Sequence, residues 1–407
     1  MIGEQPVLAA PEFQMTLLLF VALAGYLLAY RISQSAVVGI ILAGVLVGPS
    51  LLGFVTYTDF VASLAQLGAV ILLFTIGLEF QLKDIANPKY FVIALAGIIV
   101  PWLGGYLLAT SFDFDRQASI FIGTALTATS IAITANVLKE MGKLQTRAGQ
   151  AIIGAAVIDD VLALLALTLS EQMVTGDLSL FPILIEAAKA VAFVVAGALF
   201  GRVFLNKLIQ RIDRTSLSTK YPESILIFAM MVAFFYAVIA SAAGLSAIIG
   251  SFLAGVSFAG VKLKHGAIFH EGAEHLQIIF ASIFFVSLGV LIDVHALTGK
   301  LIVFVLVLTL VAGLTKVIGC GLPARLQGMS MKDSAVVGFG MMPRGEVAMI
   351  VALIGLSQGL IAQGTYAALV LMSLLTTVVP PLIFRNWLLK ERSKPRAGGN
   401  RETVNAG

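Results

Sequence analysis

The chain has 407 residues, of which 59% are hydrophobic and only 12% are charged. A water-soluble domain carries about 25% charged residues, so this composition excludes a soluble globular protein and predicts a polytopic membrane protein. The net charge of +4 does not indicate nucleic-acid binding, because the basic residues are spread between apolar segments. The single cysteine, Cys320, excludes an internal disulfide framework.

Hydropathy predicts an all-α fold with thirteen transmembrane helices, because backbone inside a bilayer has to satisfy its own hydrogen bonds. The ninth span is marginal in length. In chain order, the predicted spans cover about 13–30, 35–52, 60–82, 89–111, 117–139, 148–170, 180–201, 223–241, 245–261, 275–292, 300–322, 334–357 and 365–389.

The loops between these spans alternate in charge. Most of the 26 Lys and Arg residues fall in every second loop and in the C-terminal tail, whereas the other loops contain only Arg116 and Lys300. The positive-inside rule then predicts a cytoplasmic C-terminus and an N-terminus outside the cell. Residues 391–407 form a short basic tail on the cytoplasmic side, where it can touch anionic lipid.

The fifth span is rich in hydroxyl groups between Thr124 and Thr134, which weakens it as a transmembrane helix. In the twelfth span, Pro343 lies among three glycines and is followed by Arg344 and Glu346. Both spans are therefore predicted to be interrupted helices, which build midplane sites in many secondary transporters. With the seventh span as linker, spans 1–6 and 8–13 form two six-helix halves, and each interrupted helix is the fifth span of its half. The two halves are then predicted to insert as inverted repeats.

The sixth span contains two adjacent aspartates, Asp159 and Asp160, near its middle. Burying a charge there costs about 2.5–3.5 kcal/mol on insertion scales, so the pair indicates an ion or proton site. Lys316 in the eleventh span lies at comparable depth and requires a carboxylate partner. Adjacent helical residues point about 100° apart, so one aspartate can face Lys316 while the other faces a cavity. The spacing does not decide which.

Two other functional classes fit these aspartates less well. An intramembrane aspartyl protease needs two carboxylates that share a proton across about 3 Å, and adjacent residues of one helix diverge. A cation channel uses rings of carbonyls or charges, and the sequence contains no filter-like loop. The pattern favours a carrier.

Six sequence motifs carry a resemblance to a known family: GIILAGVLVGP (39–49), LLFTIGLEF (72–80), GTALTATS (123–130), IIGAAVIDDV (152–161), LTK (314–316) and GMMPRGEVAMIV (340–351). Together they resemble the monovalent cation:proton antiporter-2 superfamily, and the resemblance covers about residues 13–390. The adjacent aspartates are the most specific element, since the glutathione-gated potassium efflux relatives have Gln-Asp and the electroneutral exchangers have Asn-Asp.

The resemblance implies a secondary active, electrogenic Na+(Li+)/H+ antiporter of the NhaA-like fold, with K+/H+ exchange as the alternative. It is not an enzyme and uses no cofactor, and it is expected as a homodimer in a bacterial inner membrane. The expected core covers about 89–170 and 300–389, the dimerisation panel about 13–82 and 223–292, and the linker helix about 180–201.

The resemblance also assigns roles to individual residues. Asp160 is expected to carry Na+ and protons in turn. Asp159 is expected to pair with Lys316 and to be a second proton carrier with it. The remaining expected positions are Thr129 and Ser130 beside the ion, where the two interrupted helices are expected to cross, Glu79 at the inner entrance, and Arg344 and Glu346 as accessory residues.

Overall fold

The computed structural model describes residues 10–80, 87–175, 180–259, 261, 263–291 and 299–389, and all regular structure in these ranges is helical. Short π-helical turns, Gly201–Leu205 and Phe384–Leu388, extend two of the helices. The helices are α1 (Pro11–Arg31), α2 (Ala36–Val47), α3 (Asp59–Gly77), α4 (Pro88–Ser111), α5 (Arg116–Ala125), α6 (Ile131–Glu140), α7 (Arg147–Thr175), α8 (Leu180–Phe200), α9 (Asn206–Asp213), α10 (Ser216–Lys220), α11 (Ser224–Ala242), α12 (Ala247–Phe258), α13 (Gly266–Val290), α14 (Gly299–Leu326), α15 (Met331–Gly340), α16 (Glu346–Ser357) and α17 (Gln363–Ile383).

Within the described ranges, nine helical segments are long and apolar enough to cross a membrane. They are α1, α3, α4, α7, α8 with α9, α11, α13, α14 and α17. The predicted spans that do not reach this length are short or broken: α2 and α12 have 12 residues each, and the fifth and twelfth spans are each divided into two helices. The total of thirteen spans stays a prediction.

Both predicted interruptions occur in the structure. In the fifth span, α5 ends at Ala125 and α6 begins at Ile131. In the twelfth span, α15 ends at Gly340 and α16 begins at Glu346, with Pro343 between them. Proline has no backbone N–H to donate and its ring clashes with the preceding turn, which accounts for the second break. Each break leaves carbonyls without helical partners near the centre of the bundle.

The helices pack in two groups, which we name the 159 group and the 246 group after a residue in each. In the 159 group, α4, α14 and α15 pack side by side, and α7 lies against α4, α5, α6 and α15. In the 246 group, α3 packs on α12 and α13, and α2 packs on α1 and α13. Gly44 of α2 lies so close to the carbonyl of Val286 in α13 that a Cβ would overlap it.

The two groups meet unevenly. Helix α6 contacts α2 and α3, and α17 contacts α2, so the groups touch at the end of the bundle where α6 ends. We name this the Glu79 end. At the opposite end, which carries residues 57, 244 and 291, a cavity lies between the groups.

Candidate functional site

The two helix interruptions lie against each other. The backbone N–H of Ser130 donates to the carbonyl of Pro343 at 2.8 Å, and Thr129 Oγ1 lies 3.4 Å from the carbonyl of Met341. Thr134 Oγ1 donates to the carbonyl of Gly340 at 2.7 Å. These bonds satisfy carbonyls at the end of α15 that would otherwise be unpaired. The predicted positions Thr129 and Ser130 therefore lie at the contact between the two breaks.

Gly345 makes this contact possible. A Cβ at Gly345 would lie 2.6 Å from both Cβ and Oγ of Ser130. Any larger residue would therefore push the two interrupted segments apart. The glycine in the PRGE motif is required here by a close approach.

Lys316 and Asp159 form a buried ion pair. Lys316 Nζ lies 3.0 Å from Asp159 Oδ1, and the side chains are 0% and 1% exposed, respectively. The same ammonium group donates to the carbonyls of Gly97 at 2.8 Å and Thr127 at 2.7 Å. All three of its hydrogens are therefore matched by acceptors, which is the condition for keeping a lysine charged in such surroundings. The carbonyl of Thr127 belongs to the break after α5.

Arg344 is also buried, and its guanidinium bonds to backbone carbonyls. Its Nη1 donates to the carbonyl of Ala128 at 3.0 Å, and its Nη2 donates to the carbonyl of Ala312 at 3.2 Å. The guanidinium thus satisfies a second carbonyl of the break after α5 and ties this break to α14. The side chain of Glu346, the other predicted accessory residue, lies outside the described part of the structure.

Asp160 lies on a different side of α7 from Asp159, as the 100° step between neighbours requires. Its Oδ2 accepts a hydrogen bond from the backbone N–H of Ser246 at 3.1 Å. Asp160 and Ser246 both line the cavity between the two helix groups, at the end of the bundle opposite the Glu79 end. This cavity has a volume of about 510 Å³. The polar residues of the lining are Tyr57, Gln66, Asp160, Ser241, Ser246 and Ser287. The sequence does not indicate a role for Ser246, because the group that contacts Asp160 is its backbone N–H.

Two buried oxygens near the crossing have no hydrogen-bond partner among the described residues. They are Ser130 Oγ and Asp159 Oδ2. Buried polar atoms are nearly always satisfied, so each such atom requires an explanation, and a bound cation or water is one. Carboxylate, hydroxyl and carbonyl oxygens are the hard ligands that alkali cations prefer. These two oxygens are therefore candidate ligands for a small monovalent cation.

Glu79 lies away from this crossing, at the Glu79 end. Its carboxylate lies 3.3 Å from Lys139 Nζ of α6. Lys139 also donates to Gln277 of α13 at 3.0 Å. Glu140 accepts from Ser35 at 2.6 Å and from Asn136 at 3.0 Å. The bonds of Lys139 to Glu79 and Gln277 and of Glu140 to Ser35, which we name the α6 latch, fasten α6 to the 246 group. The bond from Asn136 to Glu140 lies within α6. The Asn136, Lys139, Glu140 and Gln277 contacts were not predicted from the sequence.

Comparison with known proteins identifies the family. The family model described as "Sodium/hydrogen exchanger, transmembrane" matches residues 17–390. The chain belongs to this family. The predicted membership in the cation:proton antiporters is confirmed at this level, and the antiporter-2 branch stays a prediction. As a member of a family of secondary transporters, this exchanger is not an enzyme.

Its relatives are similar over nearly their whole length. The exchanger is 34% identical over 386 residues to the Na(+)/H(+)-K(+) antiporter GerN of Bacillus cereus, with 94% of this chain and 97% of the relative covered. It is 35% identical over 382 residues to the Na(+)/H(+) antiporter of Enterococcus hirae, with 92% and 97% covered. The solved sodium proton antiporter MjNhaP1 of Methanocaldococcus jannaschii shares the fold, with a TM-score of 0.66, 15% identity, and 93% and 99% covered.

Proposed function

We propose that the protein is a secondary active Na+(Li+)/H+ antiporter in which Asp160 holds a sodium ion and a proton in turn. The observation that carries this proposal is the position of Asp160. It is a half-buried carboxylate in the middle of a long apolar helix and lines a cavity that reaches one end of the bundle. One carboxylate cannot hold Na+ and H+ together, so competition for it couples the two fluxes. No gate that senses both ions is required.

The proposed ion site combines Asp160 with neighbouring oxygens. Asp159 Oδ2 and Ser130 Oγ are buried and have no hydrogen-bond partner among the described residues, so they are suited to a cation. Thr129 lies in the same interrupted segment and completes the proposed set. Lys316 bonds to Oδ1 of Asp159 and keeps that carboxylate charged, which leaves Oδ2 as the proposed ligand. This set supplies hydroxyl and carboxylate oxygens only, which fits Na+ and Li+.

Alternating access follows from the uneven meeting of the two helix groups. We assign the 159 group, about residues 89–170 and 300–389, to a moving core. The 246 group, about 13–82 and 223–292, becomes a static panel that forms a homodimer, and about 180–201 is the linker. The proposed topology has thirteen spans in two inverted repeats, in a bacterial inner membrane with the C-terminus inside. The cavity end then faces outward.

The Asp159–Lys316 pair is proposed as the second proton carrier. If Asp160 and the pair each accept one proton, two protons enter for every sodium ion that leaves. One net charge moves per cycle, and the membrane potential then contributes about 2.3 kcal/mol per 100 mV. On this account the exchange is electrogenic.

The decisive variant is Asp160→Asn, which keeps the size of the side chain and removes its charge. In proteoliposomes loaded with a pH-sensitive dye, the wild type is expected to dissipate an imposed pH gradient when Na+ is added, and D160N is expected to lose at least about 99% of that rate. The matched control is Asp59→Asn, an exposed aspartate at the start of α3. D59N is expected to exchange at the wild-type rate. Retained Na+-dependent exchange in D160N would refute the assignment.

K+/H+ exchange is the second candidate function. It is favoured by the similarity to GerN, which is named as a Na(+)/H(+)-K(+) antiporter. Oxygen ligands also accept K+ if the cavity is larger. The same assay with Na+, Li+ and K+ side by side separates the candidates. Equal or higher apparent affinity for K+ than for Na+ would favour the alternative.

A further inference from the structure

The carboxylate of Asp160 is bound by a residue of the opposite helix group. The N–H of Ser246 lies 3.1 Å from Asp160 Oδ2. Asp160 belongs to α7, which packs on α4, α5, α6 and α15, whereas Ser246 caps α12, which packs on α3 and α11. Both residues line the cavity between the groups. This bond therefore spans the surface along which the two groups would have to move.

The donor is suited to an ionised carboxylate. Ser246 is the N-cap of α12, a helix of 12 residues, where backbone N–H groups are free of helical partners and the helix dipole is positive. Hydrogen bonds to ionised acceptors are about twice as strong as bonds between neutral groups. A proton or a sodium ion on Asp160 neutralises the carboxylate and weakens the bond. The N–H of Ser246 thus distinguishes the empty carboxylate from the loaded one.

We propose that the N–H of Ser246 is a positioning group that holds the empty, ionised Asp160 against α12 and so retains the unloaded carrier at this end. The proposal rests on the exchange function proposed above. An antiporter that crosses without an ion lets each ion flow down its own gradient. The hydrogen bond from Ser246 opposes this slippage, because it has to break before the helix groups move. Breaking it costs more free energy when the Asp160 carboxylate is empty and ionised than when it holds an ion or a proton.

Proline at position 246 tests the proposal. Ser246 has φ of −61° and ψ of 134°, which match the fixed φ of proline, about −65°. Ser246→Pro removes the N–H, and Ser246→Ala keeps it. Both variants lose the side-chain oxygen that accepts from Ile248 N at 3.3 Å, so the cap is matched between them. The difference between S246P and S246A therefore reports on the N–H.

The measured quantity is the proton leak of proteoliposomes without any transported cation, in choline medium with a permeant anion to balance charge. Wild type and S246A are expected to hold the pH gradient like protein-free liposomes. S246P is expected to dissipate it about tenfold faster, which corresponds to about 1.4 kcal/mol. The double variant D160N/S246P is expected to abolish this leak, since the leaking proton travels on Asp160. A role confined to stability would change exchange rates without creating a leak.

A second variant covers the case in which S246P does not fold. Cell-free synthesis with lactic acid at position 246 replaces only the N–H of the alanine variant by an ester oxygen. If S246P or this ester exchanges Na+ for H+ and leaks no more than S246A, the proposal is overturned. If wild type itself shows no cation-dependent exchange, the proposed function fails instead. The two failures are therefore distinguishable.

Discussion

At the scale of single residues, Lys316 shows what a sequence can and cannot predict. Its depth in an apolar span required a carboxylate partner, and the structure provides Asp159 at 3.0 Å. The other two acceptors, the carbonyls of Gly97 and Thr127, could not be predicted, because backbone carbonyls leave no trace in residue identity. Arg344 was predicted only as an accessory residue for the same reason.

The buried ion pair leads to a prediction about stability. Lys316→Gln leaves Asp159 as an uncompensated buried charge, which is expected to lower the free energy of unfolding by about 3–5 kcal/mol. The double variant D159N/K316Q removes both charges and is expected to recover at least half of this loss. Thermal unfolding in detergent measures both effects as changes in Tm.

The control for this prediction is Asp159→Asn alone, which leaves Lys316 without its carboxylate but with two carbonyl acceptors. It is expected to be less destabilising than K316Q. A double variant as unstable as the sum of both single variants would show that the charges do not interact.

At the scale of helices, local chemistry predicted the two interruptions and the family resemblance implied that they cross, but neither predicted which atoms meet. Pro343 and its neighbouring glycines cannot continue a helix, so a break in the twelfth span followed from local chemistry. Which atoms of the two breaks meet depends on how α5, α6, α15 and α16 pack. The bond from Ser130 to Pro343 is a result of that tertiary packing.

Gly345→Ala tests the close contact between the breaks. The added Cβ overlaps Ser130, and we expect at least a tenfold lower exchange rate together with a lower Tm. Gly299→Ala is the matched control, since a Cβ there meets no atom within 4 Å and the helical position favours alanine. Exchange by G345A at the wild-type rate would mean that the breaks do not need to touch.

The α6 latch gives a second prediction at this scale. Lys139→Gln removes the ion pair with Glu79, which, as a partly exposed pair, contributes about 1 kcal/mol or less. Opening at the Glu79 end is then expected to become about two- to fivefold more frequent. The rate of maleimide labelling of Ser282→Cys measures this opening, because Ser282 lines a second cavity beside the latch. The native Cys320 is fully buried, so the label reports on position 282.

The exposed Lys332 provides the control for the latch, since K332Q makes the same change outside it. K332Q is expected to leave the labelling rate unchanged. If both variants label at the wild-type rate, the latch does not hold the Glu79 end closed.

At the scale of the whole molecule, composition and hydropathy were sufficient for the class of protein and for its helical fold. The cavity beside Asp160 could not be predicted, because it is formed by the way the two helix groups pack against each other. The same is true of the bond between Ser246 and Asp160, whose partners are 86 residues apart in the chain. Sequence patterns describe each helix well and the spaces between helices poorly.

Electrogenic exchange is a prediction at this scale. If two protons exchange for one sodium ion, a membrane potential alone should drive Na+ transport in proteoliposomes without any imposed pH gradient. Reversing the potential should reverse the direction of transport. Potential-independent exchange would indicate a one-to-one stoichiometry and would remove the second proton from Asp159 and Lys316.

The central claim is that one membrane carboxylate binds sodium and protons alternately, and a single binding measurement tests it. Na+ is added to the purified protein in weakly buffered detergent solution, and the released protons are followed with a pH indicator. We expect proton release that saturates with Na+ in the wild type and D59N, and none in D160N. Na+ binding by the wild type without proton release would contradict the account.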